Sequence, residues 1–118
     1  MLTNFNTSME VLELAQEEML YKNLLSQLKK DFELANVKLS FSMEVGPAEL
    51  KDVLKEKIYF LLLENIPEYQ NLLYIVDIPE HKITELKSLD VVDVSEEVCF
   101  LLLKREWQKV WFKNKFTS

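Results

Sequence analysis

The chain has 118 residues, 48% hydrophobic and 29% charged, and its net charge at pH 7 is −6. This length and composition predict one globular domain, residues 1–118, whose core needs neither metal nor disulfide. The net negative charge argues against binding nucleic acid by bulk attraction, and the single glycine argues against a sheet protein built on tight turns.

A long amphipathic helix is predicted for the first third of the chain, from Thr7 or Ser8 to about Ala35. Its apolar residues recur at the three- to four-residue spacing of one helix face. They are Val11, Leu14, Ala15, Tyr21, Leu24, Leu25, Leu28 and Phe32. Glu18 interrupts this stripe, and we expect it to turn outward toward Lys22, four residues further on.

Residues 37–45 are the one place where strand and helix patterns compete. Apolar residues alternate strictly with polar ones along this segment (VKLSFSMEV), which is the period of a half-buried strand. Because no neighbouring hairpin is evident, we expect an extended connection across the helices that pairs only with itself in a dimer.

Three further helices are predicted in the middle of the chain. Pro47 suits a first helical turn and begins a helix to about Asn65, in which residues 58–63 are apolar on all sides. Pro67 begins a short helix to about Asp77, although its apolar run could also be a buried strand. Asp77 is predicted to cap a fourth helix at about 79–88, and residues 88–94 are predicted to connect it to the last helix.

The last helix, about 94–115, is predicted to organise the fold. Ser95, or Asp93 in competition with it, is expected to be the N-cap. Residues 98–103 are again apolar on all sides, so they must be covered inside a bundle or at a subunit contact. The fold class expected is therefore all-α, a small four- to five-helix bundle, with residues 37–45 as the one candidate extended segment.

The end of this helix is basic and aromatic. Residues 104–118 hold five basic side chains and one acidic, a net +4, whereas the rest of the chain holds 9 basic and 19 acidic. The candidate partner-binding residues are Arg105, Trp107, Lys109, Trp111 and Lys113. They could meet an acidic apolar surface of a protein, a nucleic acid or a membrane surface. The competing interpretation, favoured by the core stripe, makes the tryptophans core residues and the lysines a solvated helix end.

No motif in the chain defines a reaction class. Phosphate-loop and zinc-ligand patterns are missing, and the only histidine, His81, is expected to be exposed. Cys99 lies in an apolar run and is expected to be buried, as in a reducing cytoplasm. No catalytic residue, metal or cofactor is predicted.

The leading hypothesis is a cytoplasmic helical protein without catalysis that binds another protein, most simply a second copy of itself. Two segments that are apolar on all sides, in a chain with few helices to cover them, are the reason. One alternative is nucleic-acid binding through the last helix, and another is an enzyme with a carboxylate-only site drawn from Glu17, Glu18, Glu64 or Asp77. The polar start does not resemble a signal peptide, and no transmembrane segment is expected.

Overall fold

The computed structural model describes residues 4–87 and 89–117. Within these residues it has six helices and no strand, which confirms the all-α class. The helices are α1 (Ser8–Glu17), α2 (Tyr21–Leu34), α3 (Pro47–Glu64), α4 (Ile66–Val76), α5 (Glu80–Thr84) and α6 (Val91–Thr117). The predictions for α3 and α4 are confirmed, and the strand alternative for α4 is wrong.

Helix α6 is the centre of the packing. It has 27 residues, and at a rise of 1.5 Å per residue it is about 40 Å long. It packs against α1, α2, α3 and α4. Its fully buried side chains include Val98, Leu102 and Trp107. The other fully buried large side chains come from α1, α2, α3 and α4, so one continuous apolar core surrounds α6.

The start of α6 differs from the prediction. The carboxylate of Asp90 accepts a hydrogen bond from the backbone N–H of Asp93 at 2.9 Å, as an N-cap side chain does. Ser95 instead lies inside the helix, fully buried, and donates its hydroxyl to the Val92 carbonyl at 2.7 Å. Asp90 is an equally good capping residue, and its use adds a first turn that carries Val91 and Val94.

The first third of the chain forms two helices, so the prediction of one long helix is wrong. The Leu20 N–H donates to Ala15 and the Met19 N–H to Gln16, which is the Schellman arrangement that ends a helix. Met19 adopts a left-handed conformation, with φ of 60°, where glycine is usual. The turn buries Leu20, which is 8% exposed, so tertiary packing outweighs the helical propensity of the chain.

Two other helix ends use the same device. Asn36 after α2 and Asp77 after α4 have φ values of 60° and 72°, and each is followed by a buried apolar residue, Val37 or Ile78. Asp77 therefore ends α4 and does not cap the fourth helix, which is also shorter than predicted. Ser88, in the predicted connection to the last helix, lies outside the described residues.

Residues 37–45 do not form a strand within the described chain. Burial nevertheless alternates along them, because Val37, Leu39, Phe41 and Val45 turn inward while the intervening polar side chains are exposed. The extended backbone ends in a turn, in which the Val45 N–H donates to the Ser42 carbonyl. The side-chain pattern of a strand is present, but the neighbouring strand is missing.

We predict that Met19→Gly stabilises the protein. The Met19 side chain is 88% exposed, so little packing is lost, and glycine removes the steric cost of the left-handed conformation. The free energy of unfolding, measured in urea, should rise by about 0.5–1 kcal/mol. Glu13→Gly, at an exposed position in the middle of α1, is the control and should lower it by about 1 kcal/mol. A loss of stability in Met19→Gly would contradict the assignment.

Candidate functional site

A buried ion pair joins three helices beside the core. Lys109 of α6 donates from Nζ to Oδ2 of Asp31 of α2 at 2.7 Å, and to the carbonyl oxygen of Ile75 of α4 at 3.3 Å. Gln27 donates to the other oxygen of Asp31 at 3.1 Å. Asp31 is 3% exposed, so its charge is removed from water and is compensated by these donors. Lys109 thus balances a buried charge and satisfies a helix-terminal carbonyl at once.

Glu106 lies next to this pair and is more deeply buried. It is 0% exposed, and neither of its carboxyl oxygens accepts a hydrogen bond. Its Oε2 is 3.9 Å from Nζ of Lys109. Burial, and after it the neighbouring Asp31 carboxylate, raises the pKa of Glu106 to about 9. Glu106 is therefore neutral at pH 7.

Asp31 keeps its charge in the same surroundings. Burial alone would raise the pKa of Asp31, but the protonated Glu106 carboxyl, the Lys109 ammonium and the Gln27 amide outweigh burial and lower it. At neutral pH the cluster holds one buried anion, one cation and one neutral acid. Sequence reasoning missed Asp31 and Glu106. The available signal was their position beside Phe32 and Trp107, on faces that the apolar spacing assigns to the core.

Arg105, one turn before Lys109 on α6, binds the end of α4. Its Nε donates to the Asp77 carbonyl and its Nη2 to the Asp77 carboxylate, both at 3.2 Å. Cations at a helix C-terminus satisfy the last carbonyls and the negative end of the helix dipole. Two of the five candidate partner-binding residues are thus engaged inside the chain.

The other three candidates are distributed between core and surface. Trp107 is fully buried, Trp111 is partly buried, and Lys113 is exposed. Beyond them the aromatic side chains form a ladder along α6. Trp111 and Phe112 meet edge to face with centroids 5.2 Å apart, Phe112 stacks on Phe116 at 6.1 Å, and Lys115 lies over Trp111 at 5.1 Å. Phe112 and Phe116 are 44% and 73% exposed, so this end of α6 is an accessible aromatic surface.

A second apolar surface lies on α3. Ile58 and Leu61 are fully buried, but Tyr59, Phe60 and Leu63 are 38%, 51% and 53% exposed. The corresponding segment of α6 has no exposed side chain, because Val98, Cys99, Leu102 and Leu103 are fully buried and Phe100 and Leu101 are partly buried. The bundle therefore covers one of the two apolar segments and leaves part of the other uncovered. We call residues 59, 60 and 63 the α3 surface.

An open groove of about 790 Å³ runs beside the α3 surface. Its walls are the end of α2, residues 36–41 and the middle of α3. Lys29 Nζ lies over the Phe41 ring at 4.9 Å, and Lys57, which also lines the groove, lies over the Phe60 ring at 5.5 Å. The groove and the α3 surface are thus continuous through Lys57.

The residues considered for chemistry are not assembled. His81 is exposed on α5, Glu17 and Glu18 are exposed at the end of α1, and Glu64 is exposed at the end of α3. Burial raises the pKa of the Cys99 thiol to about 12, so it is protonated at neutral pH. Among residues 4–87 and 89–117, no group of three histidine, cysteine or acidic side chains could hold a metal ion. No helix in this part of the chain is long and apolar enough to cross a membrane.

Comparisons with protein-family models, with curated proteins and with solved structures find no match to this chain.

We predict that Lys109→Met lowers stability because it leaves the Asp31 carboxylate buried and unpaired. The loss should be about 3 kcal/mol in urea unfolding. Adding Asp31→Asn removes the unpaired charge, so the double variant should recover about half of the lost free energy of unfolding. A loss below about 1 kcal/mol in the single variant would show that water or another group replaces the ammonium.

We predict that Glu106→Gln stabilises the protein increasingly as pH rises. Between the ordinary pKa of 4.5 and the folded value of about 9, the folded chain keeps a proton that the unfolded chain has lost, so wild-type stability falls with pH. Glutamine has no proton to lose. Its advantage should be below about 1 kcal/mol at pH 5 and about 2 kcal/mol or more at pH 8.

Thermal unfolding at several pH values measures this difference. Glu97→Gln, at an exposed position on the same helix, is the control and should show no such trend. If the difference between wild type and Glu106→Gln is the same at all pH values, Glu106 is not held neutral by the fold.

Proposed function

We propose that this protein is a cytoplasmic protein-interaction module that acts without catalysis and takes a second copy of itself as its simplest partner. The observation that carries the proposal is the α3 surface, three large apolar side chains left uncovered on a helix whose core-facing side is buried at Leu50, Leu54, Ile58 and Leu61. Contiguous apolar side chains at a surface commonly mark a site of association. The buried, protonated Cys99 is consistent with a reducing compartment.

The charge around the α3 surface supports contact between like copies. Its three members are uncharged, Lys57 lies over the Phe60 ring, and the carboxylates of Glu56 and Glu64 lie one turn to either side of Phe60, at the edge of the surface. Two copies could therefore bring these three side chains together without placing like charges against each other at the centre of the contact. The end of α6 is less suited to self-contact, because Lys113 and Lys115 would approach their own counterparts.

Nucleic-acid binding through α6 has weaker support. Arg105 and Lys109 are committed to carboxylates within the chain, which leaves fewer cations for phosphate groups. The aromatic ladder at the end of α6 favours instead a second contact surface for protein.

Sedimentation equilibrium from about 1 to about 100 µM tests self-association. We expect a dimer at the upper end, and Phe60→Ser with Leu63→Ser should raise its dissociation constant at least tenfold, because both apolar side chains lose their partner contacts. Phe112→Ser with Phe116→Ser is the matched control at the other exposed surface, and it should change the dissociation constant of the dimer by no more than about twofold.

Two outcomes would contradict the proposal. A strict monomer over the whole concentration range removes self-association. A dimer weakened only by the α6 variant transfers the contact to the aromatic ladder and overturns the role of the α3 surface.

A further inference from the structure

Residues 37–45 are self-complementary about their centre. Counting outward from Phe41, each residue on one side is matched by one of like or complementary character on the other. The matches are Ser40 with Ser42, Leu39 with Met43, Lys38 with Glu44 and Val37 with Val45. The apolar matches are similar in size, and the only charged match is of opposite sign.

Antiparallel strands related by a twofold axis convert this symmetry into contacts. With the axis at Phe41, Leu39 would lie opposite Met43 of the partner subunit on one face. Lys38 would lie opposite Glu44 of the partner subunit on the other face, and the axis repeats both pairs. Directly opposed pairs of this kind stabilise antiparallel strands, and an isologous interface requires such self-complementarity.

The structure leaves residues 38–41 of this segment available for pairing. Within the described chain, Lys38, Leu39, Ser40 and Phe41 neither donate nor accept a backbone hydrogen bond. Their side chains alternate between the bundle and solvent, as in a strand. Unpaired backbone groups along such a segment are a template for a strand from another chain.

The surroundings offer room and apolar contact for a second strand. The same four residues line the open groove of about 790 Å³, whose opposite wall includes Val53 and Lys57 of α3. Lys57 links the groove to Phe60 and so to the α3 surface. A second chain seated along residues 38–42 would therefore lie beside the apolar side chains that the bundle leaves uncovered.

We propose that two copies of this chain dimerise by antiparallel pairing of residues 37–45 about a twofold axis at Phe41, with the α3 surfaces flanking the paired strands. The inference rests on the proposed function in taking a second copy as the partner, and it adds the pairing segment and its register. Two short strands alone are marginally stable in water, so the flanking apolar contact is required for the dimer.

The ion pair that Glu44 makes within its own chain does not prevent this exchange. Lys22 Nζ lies 3.1 Å from Glu44 Oε1, but the two side chains are 64% and 81% exposed. Exposed ion pairs of this kind contribute little stability, so Glu44 can turn to a new partner. Pairing beyond Phe41 requires the turn from Ser42 to Val45 to open, because the Val45 N–H donates to the Ser42 carbonyl and the Glu44 N–H donates to Ser42 Oγ. The opened segment then places Glu44 opposite Lys38 of the partner subunit at each end.

Charge reversal at these ends tests the register. Lys38→Glu sets a new carboxylate against Glu44 of the partner subunit twice in each dimer, and Glu44→Lys likewise sets two ammonium groups against each other. We expect each single variant to dimerise about tenfold more weakly than wild type. A one-to-one mixture of the two variants restores both pairs of opposite charge in the mixed dimer. The double variant, which carries both substitutions in each chain, restores both pairs between two identical copies. The dissociation constants of the mixed dimer and of the double-variant dimer should both lie within about threefold of the wild-type value.

Sedimentation equilibrium gives the affinities, and native mass spectrometry with one variant labelled with heavy nitrogen identifies the mixed dimer. The control is Lys22→Glu with Glu44→Lys, which restores the intrachain pair and leaves the proposed contact repulsive. It should remain as weak as Glu44→Lys alone.

The outcomes separate this inference from the proposed function. Preferential formation of the mixed dimer supports the register. A dimer that Phe60→Ser with Leu63→Ser weakens, but that neither reversal affects, overturns the strand pairing and leaves self-association standing. If Lys22→Glu with Glu44→Lys dimerises as tightly as wild type, the charge effect arises from the intrachain pair, and the strand pairing is also overturned. A wild-type monomer up to about 100 µM overturns both.

Discussion

The fold depends on covering α6 along most of its length. The segment from Val98 to Leu103 is apolar on every side, and its cost in water is removed only when neighbouring helices surround it. Four helices do this, which requires the chain to reverse sharply between them. Left-handed residues after α1, α2 and α4 provide the reversals, and each is followed by a side chain that enters the core. The strain at Met19 is thus a local cost of enclosing a central helix.

The buried polar cluster places α2, α4 and α6 relative to one another. Lys109 must reach Asp31 and the Ile75 carbonyl together, and few relative positions of three helices allow this. Such a cluster adds little net stability compared with a well-packed apolar core, because desolvation consumes most of the attraction. Glu106 shows the effect of desolvation, since burial keeps its carboxyl group neutral and its oxygens accept no hydrogen bond. A compact arrangement that separated Lys109 from Asp31 would leave a charge buried without its partner, and such arrangements are therefore disfavoured.

The surface divides into parts of different character. The end of α6 is aromatic and basic, whereas the α3 surface is apolar and adjoins a groove of mixed polar and apolar lining, which borders a strand-like segment that pairs with no strand in the described chain. The first surface carries like charges that would repel one another across a contact between two copies, and the central side chains of the second are uncharged, which is the basis of the proposed self-association. Both follow from one limitation of size, since a bundle with one central helix cannot also enclose every apolar side chain of α3.

Local chemistry in the chain determined the helical class, the positions of Pro47 and Pro67 at the starts of α3 and α4, and the alternation along residues 37–45. Each depends on propensity and spacing within a few residues, which a single sequence displays. Only the tertiary structure decided that the first helix breaks at Met19, that Lys109 turns inward, and that Asp31 and Glu106 are buried. Lys109 and Asp31 are 78 residues apart in the chain. Periodicity shows which side of a helix is apolar, but which helices face each other, and so which charges meet, is settled by packing of the whole chain.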